Sequence, residues 1–246
     1  MVNINLKTLT TCLSTNDIAL EGAKAGFDEG SSYLSYLQTK GRGRNDNKWT
    51  SLEGNLFLST IIRPKQEKKY WQQLSLILGI SIIELLVKFG INQKLIELKW
   101  PNDILVNNKK ISGILLESSD DFIVAGVGLN VKKSPEIEDK WETTNVSDYI
   151  DLKMSLQEIA YEVLNQFFFN YKIWNENGFI FFKDKINSFL KYKMKTISIK
   201  FNSNTETISG TFLGLGDAGT IKLASGTDIY EYNSIDNYSI INKGLS

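Results

Sequence analysis

Apolar residues recur along this chain with two distinct periods. Alternation over Ile4 to Leu9, Tyr33 to Leu37 and Asn55 to Ile62 predicts strands, because successive strand side chains point to opposite faces. Leu95 to Trp100, Ile104 to Val106, Lys110 to Leu116 and Phe122 to Leu129 are strand-like as well. Turn residues at Pro101-Asn-Asp, Asn107-Asn-Lys-Lys and Ser118-Ser-Asp-Asp separate them, which predicts a run of adjacent antiparallel strands. Helical patterns lie between. Ser14-Thr-Asn-Asp17 offers N-cap chemistry ahead of Ile18, Leu20 and Ala23, and Leu156 to Tyr171 and Phe179 to Leu190 have helical spacing. Tyr70 to Phe89 is apolar nearly all round, the mark of a buried central helix.

From Lys195 to Ile241 the chain changes to short strands with glycines at the turns. The fold class expected is therefore α+β: a mixed or antiparallel sheet with helices over residues 1–192, then a small β-barrel-like module over residues 193–246. Gly214-Leu-Gly-Asp-Ala-Gly219 matches the glycine spacing of a dinucleotide loop. The strand-like Thr220-Ile-Lys-Leu after it makes the segment a hairpin turn instead, and no P-loop motif occurs.

Composition narrows the chemistry. The 246 residues carry 28 Lys+Arg against 28 Asp+Glu, so any anionic partner must be met by a local patch. The single Cys12 and an N-terminus without a secretory profile suggest a reducing cytoplasmic compartment. The longest apolar stretch, Leu74 to Phe89, is broken by Glu84 and Lys88 and falls short of the roughly 20 residues of a membrane span. With no histidine, every His-dependent triad, zinc site and imidazole acid–base mechanism is excluded.

Only three arginines occur, Arg42, Arg44 and Arg63, and two sit together in the non-periodic loop Gln38 to Ser51. Gly41-Arg-Gly-Arg44 combines glycines that let backbone amides approach an anion with guanidinium groups that grip phosphate, and Trp49 adds an aromatic plate. The same residues read equally as a solvated basic loop or a single-stranded nucleic-acid contact. Alternation sets Lys99 on the face opposite Ile96, Leu98 and Trp100. There it is either a pre-ordered anion ligand or a surface lysine before a turn. Glycines interrupt Ser112-Gly-Ile-Leu-Leu-Glu117 and Val124-Ala-Gly-Val-Gly-Leu-Asn130, marking a ligand or another backbone lying close.

Taken in order, Ser14-Thr-Asn16, Gln38-x-x-Gly-Arg-Gly-Arg44 with Trp49, Lys99-Trp-Pro-Asn-Asp103, Ile111-Ser-Gly-Ile-Leu-Leu-Glu117 and Gly126-Val-Gly-Leu-Asn-Val131 resemble the biotin protein ligases across essentially the whole chain. The resemblance implies a class II synthetase-like catalytic domain followed by an SH3-like domain. It also implies a two-step reaction: biotin and ATP give biotinyl-5′-adenylate and pyrophosphate, then a lysine of a biotin carboxyl carrier protein takes the biotinyl group.

By the same resemblance Ser14, Thr15, Asn16 and Gln38 bind the biotin head, with the backbone at Gly113 completing the pocket. Gly41, Arg42, Gly43 and Arg44 form the loop over the ligand, and Trp49 packs on it. Asn102 and Asp103 belong to the ligand-binding set beside Lys99, which neutralises charge between carboxylate and α-phosphate; Asn130 lies near adenine and Mg²⁺ accompanies the phosphates. No metal-binding side chains, nucleic-acid partner or membrane are expected, and a monomer or homodimer is. With Ser14 so close to the start, a DNA-binding domain and a direct repressor role are not expected. One departure is the stretch Asn45-Asp-Asn47, where the family commonly has a further Gly-Arg pair; Lys40 or Lys48 is expected to substitute. The nearest rival is a lipoate or octanoate ligase or transferase of the same fold.

Overall fold

The computed structural model describes residues 2–45, 47–136, 142–201, 207–233 and 238–241. The main sheet contains β1 (Asn5–Leu9), β2 (Ser31–Ser35), β3 (Leu56–Ile62), β4 (Ile96–Lys99), β5 (Asp103–Val106), β6 (Lys109–Ser118) and β7 (Ile123–Leu129). Their spatial order is β1-β2-β3-β7-β6-β5-β4. Only β1 and β2 run parallel, and α1 (Thr15–Lys24) makes the crossover between them. All other neighbours are antiparallel, which the short turns of the sequence require for β4–β5, β5–β6 and β6–β7.

The two faces of this sheet serve different ends. Beneath it, α2 (Gln73–Phe89) packs on β6 and β5, with α3 (Leu156–Asn177) and α4 (Ile180–Phe189) behind. Gly79 lets α2 sit close, since a Cβ there would lie 3.1 Å from Leu98 Cδ1. Burial all round explains why α2 has no polar stripe. It ends at Gly90, whose φ of 111° allows Gly90 N and Ile91 N to return to the carbonyls of Val87 and Leu86. The upper face carries α1, over β2, β3 and β7, and the loop after β2.

Several boundaries differ from expectation, among them the end of the helix expected over Leu156 to Tyr171, which continues to Asn177. The helix expected from Tyr70 begins at Gln73, after a 3₁₀ turn over Lys68–Tyr70. The second strand ends at Ser35, because Tyr36 and Leu37 leave the sheet and are exposed. A capping box starts α3, with Ser155 accepting from Glu158 N while the Glu158 carboxylate accepts from Ser155 N. Ser155→Ala is expected to lower stability by about 1 kcal/mol, read as a lower urea midpoint, with activity unchanged since the cap lies far from the upper face.

The C-terminal part is a separate antiparallel sheet, order β11-β10-β9-β8-β12, of an SH3-like kind. It contains β8 (Thr196–Phe201), β9 (Thr207–Leu215), β10 (Ile221–Ser225), β11 (Asp228–Tyr232) and β12 (Tyr238–Ile241). The Gly216–Gly219 segment is the β9–β10 turn, closed by Gly219 N to Gly216 O, so the dinucleotide-like spacing is a hairpin. Residues 202–206, 234–237 and 242–246 of this expected second domain lie outside the described residues. Among the described residues no helix is long and apolar enough to cross a membrane.

Candidate functional site

Small residues open the upper face. Across the paired strands, Lys99, Asp103, Gly113, Gly128 and Phe57 stand opposite one another in one row, and Leu115, Gly126 and Ser59 form the next. The three glycines leave a trough. On Gly126 rests the carboxamide of Asn16, and a Cβ at Gly128 would fall 2.5 Å from Cζ2 of Trp49.

The N-terminus of α1 closes one end. Ser14 holds the N-cap position in extended backbone without its hydroxyl capping the helix, and Ser14, Thr15 and Asn16 are all buried. Gln38 Oε1 accepts from Thr15 N at 2.8 Å and from Thr15 Oγ1 at 3.1 Å. Thr15 Oγ1 lies 2.7 Å from Ser59 Oγ, which donates to Asn16 Oδ1 at 2.5 Å. Asn16 Nδ2 then donates to Glu117 Oε2 at 2.7 Å. The result is a pocket of directed amide and hydroxyl groups, suited to a small polar ring rather than a hydrocarbon.

The loop after β2 folds over this pocket as a narrow hairpin, with Arg42 bridged to Lys48 and Gly43 N donating to Asn47 O at 2.7 Å. Gly41 is needed because a Cβ there would meet Trp49 O at 2.6 Å. Arg42 grips both Glu117 oxygens, at 2.9 and 3.0 Å, and Asp17 at 2.5 Å. Arg44 goes elsewhere. It lines a cleft of about 300 Å³ with Lys68, Trp71, Ser75 and Pro101, past the uncovered end of β6. Lys40 and Lys48 are exposed at the rim, and Asp46 lies outside the described residues. The Trp49 indole lies on the glycine floor, its buried Nε1 finding no acceptor among the described residues.

At the other end of the trough two ammonium groups gather. Lys99 is half-buried on β4, and Lys110 Nζ pairs with Asp103 Oδ1 at 2.7 Å while lying 5.4 Å from the centre of the Trp49 ring. Burial pushes the Lys99 ammonium below its ordinary pKa; Asp103 opposes this, and Lys110 and Lys191 add to it. A crowded, partly desolvated cationic cluster of this kind is ready to receive an anion.

The remaining expected residues are engaged with the protein itself. Asn102 Nδ2 donates to Ile114 O at 2.9 Å, prolonging the β5–β6 pairing. Buried Asn130 donates to Thr144 O at 3.1 Å. Four residues of the site escaped the sequence reading: Asp17, Ser59, Lys110 and Glu117 stood in segments read for other reasons. Ser59 carried one signal, a hydroxyl pair with Thr60 inside an otherwise apolar strand.

Residues 12–133 match the profile of the Biotin/lipoate A/B protein ligase family. A biotin protein ligase from Aquifex aeolicus, solved with biotin and ATP, superimposes with a TM-score of 0.83 at 31% identity, covering 96% of this chain and 98% of that one. The chain belongs to the biotin protein ligase family. The bifunctional ligase/repressor BirA of Bacillus subtilis is 30% identical over 238 residues, 91% of this chain and 70% of its own length. A biotin–acetyl-CoA-carboxylase ligase of Mycobacterium tuberculosis is 36% identical over 130 residues, half of this chain and 48% of its own.

In this ligase, then, a polar pocket and a pair of lysines bracket a glycine-floored trough, with the Arg42 hairpin as its roof. Lys110→Met is expected to lower the rate of adenylate formation by about 10–100-fold. Rapid-quench measurement with radiolabelled ATP reads it. Thermal melting separates this from a change in folding, since the variant also takes the Lys110 partner from the largely buried Asp103 carboxylate.

Proposed function

We propose that the protein is an ATP-dependent biotin ligase acting through an adenylate. A biotin carboxylate oxygen attacks the α-phosphorus of ATP and pyrophosphate leaves; the neutral ε-amine of an acceptor lysine then attacks the acyl carbon, AMP leaves and the amine proton passes to solvent. Ser14, Thr15, Asn16, Gln38 and Ser59 would exchange their mutual hydrogen bonds for bonds to biotin's ureido ring. Lys99 and Lys110 would neutralise charge where carboxylate and α-phosphate meet, leaving positioning and electrostatics to lower the barrier. Trp49 Nε1, without an acceptor among the described residues, would recover about 1–3 kcal/mol by donating to a ligand oxygen after a small shift of the ring.

The observation that carries this reading is the convergence of Lys99, Lys110 and Asp103 on the same glycine row that the Trp49 loop covers. Magnesium would arrive with the phosphates as Mg·ATP, in keeping with a site whose nearby carboxylates are engaged by Arg42 and Lys110. The acceptor is a biotin carboxyl carrier protein of a carboxylase. Residues 1–192 form the catalytic domain and 193–246 the SH3-like domain.

Biotin-dependent ATP–pyrophosphate exchange tests the first step, and mass spectrometry of a carrier domain tests the second. Exchange with biotin but not with lipoate or octanoate is expected. Exchange with lipoate alone sinks the assignment.

A further inference from the structure

Lys191 is buried on the connector between α4 and β8, with a side chain only 6% exposed. The connector covers the outer edge of β4: Leu190 bridges to Leu98, and Lys191 N donates to Leu98 O at 2.9 Å. Its ammonium donates to Glu97 Oε2 at 2.8 Å and to Asn108 Oδ1 at 2.6 Å. Glu97 is two residues from Lys99, so both side chains leave β4 on the upper face. On the other flank of Lys99, Trp100 Nε1 donates to Gly219 O at 3.3 Å in the β9–β10 turn. The strand bearing the reactive-site lysine is thus held from two sides by the C-terminal part of the chain.

Stability alone is a poor reason for Lys191. Burying an ammonium is costly, and an apolar side chain of equal volume usually serves a fold as well as a buried ion pair does. We propose that Lys191 is a positioning residue for Lys99, fastening β4 to the β5–β6 turn and setting the local charge in which the Lys99 ammonium works. This rests on the reading of Lys99 as the cation that meets carboxylate and α-phosphate.

Charged groups bear on Lys99 from every element around it: Asp103 on β5, Lys110 on β6 and Lys191 on the connector, with Glu97 on β4 itself tied to Lys191. Of these, Lys191 is one of two that push the Lys99 proton off, after burial. Removing its charge therefore lets Lys99 hold its proton to higher pH.

The test is the pH dependence of biotin-dependent pyrophosphate exchange in the full-length protein, its Lys191→Met and Lys191→Arg variants, and the double variant Lys191→Met with Glu97→Gln. The double variant leaves no unpaired buried charge, so it reports even where Lys191→Met unfolds, which thermal melting reveals. Loss of exchange on the alkaline side is expected to move to higher pH in the two variants lacking the charge and to stay in place in Lys191→Arg. An alkaline limb that stays at the wild-type pH in the double variant, or that moves equally in Lys191→Arg, overturns the proposal. Absence of any biotin-dependent exchange in the wild type overturns the assigned reaction instead.

Discussion

Replacing Lys99 by methionine is expected to slow biotin-dependent pyrophosphate exchange by about 10³-fold, the loss typical of removing one pre-positioned charge donor from a developing anion. Methionine keeps the length and the apolar stem, so β4 should keep its pairing and the protein its melting temperature. The wild type carries a further signature. Burial depresses the Lys99 ammonium, with Lys110 and Lys191 adding to the effect against Asp103. Adenylation needs the charged form, so activity is full below that lowered pKa and is lost as pH rises through it, earlier than an ordinary lysine would titrate. In Lys99→Met the residual rate should lack this alkaline fall. A variant that retains more than a tenth of the wild-type rate, or the same alkaline limb, removes Lys99 from the role given to it.

Gly128→Ala is the second large effect. The added methyl would meet the Trp49 indole at 2.5 Å from Cζ2 and 2.8 Å from Nε1, where no ordinary packing distance exists. Either the ring leaves the floor or the β7 backbone moves, and the strand is pinned on both sides by β3 and β6. The ring is therefore expected to leave, uncovering the trough and displacing its contact with Lys110. Overpacking of this kind costs ~1–3 kcal/mol, and the consequence should fall mainly on function: the Michaelis constants for biotin and ATP should each rise by about 100-fold. Steady-state exchange kinetics read both, and Trp49→Phe provides the comparison in which the aromatic floor contact is kept. Unchanged constants in Gly128→Ala mean that the indole does not cover the ligand site.

Much of this molecule was legible in advance. Alternation and turn residues located every strand of the main sheet, and alternation set Lys99 opposite Leu98 as found. The glycines of β6 and β7 announced a close approach, which is the Trp49 indole and the Asn16 carboxamide. The same alternation misplaces Lys110. Counting back from Gly113, Lys110 belongs on the lower, apolar face. The structure has a register shift between Ile104 and Leu105 against β6, pairing Leu105 with Lys110 and leaving Ile111 as an extra residue. That one inserted residue turns Lys110 upward to Asp103 while Ile111 enters the core.

Local pattern in the chain thus determined the α+β class, the antiparallel run, the buried α2 and the ordered set of motifs that ties the protein to the biotin ligases. These follow from side-chain period, turn chemistry and residue types that act within a few positions. What only the folded structure decided is which of the motif residues face one another: Asn16 with Ser59 and Glu117, Arg42 toward Asp17 and Glu117 while Arg44 lines another cleft, and Lys110 beside Asp103. Those contacts join segments up to about a hundred residues apart. They depend on strand register and on a single bulge, and since one residue of slip reverses every face on a strand, no local reading of the chain could settle them.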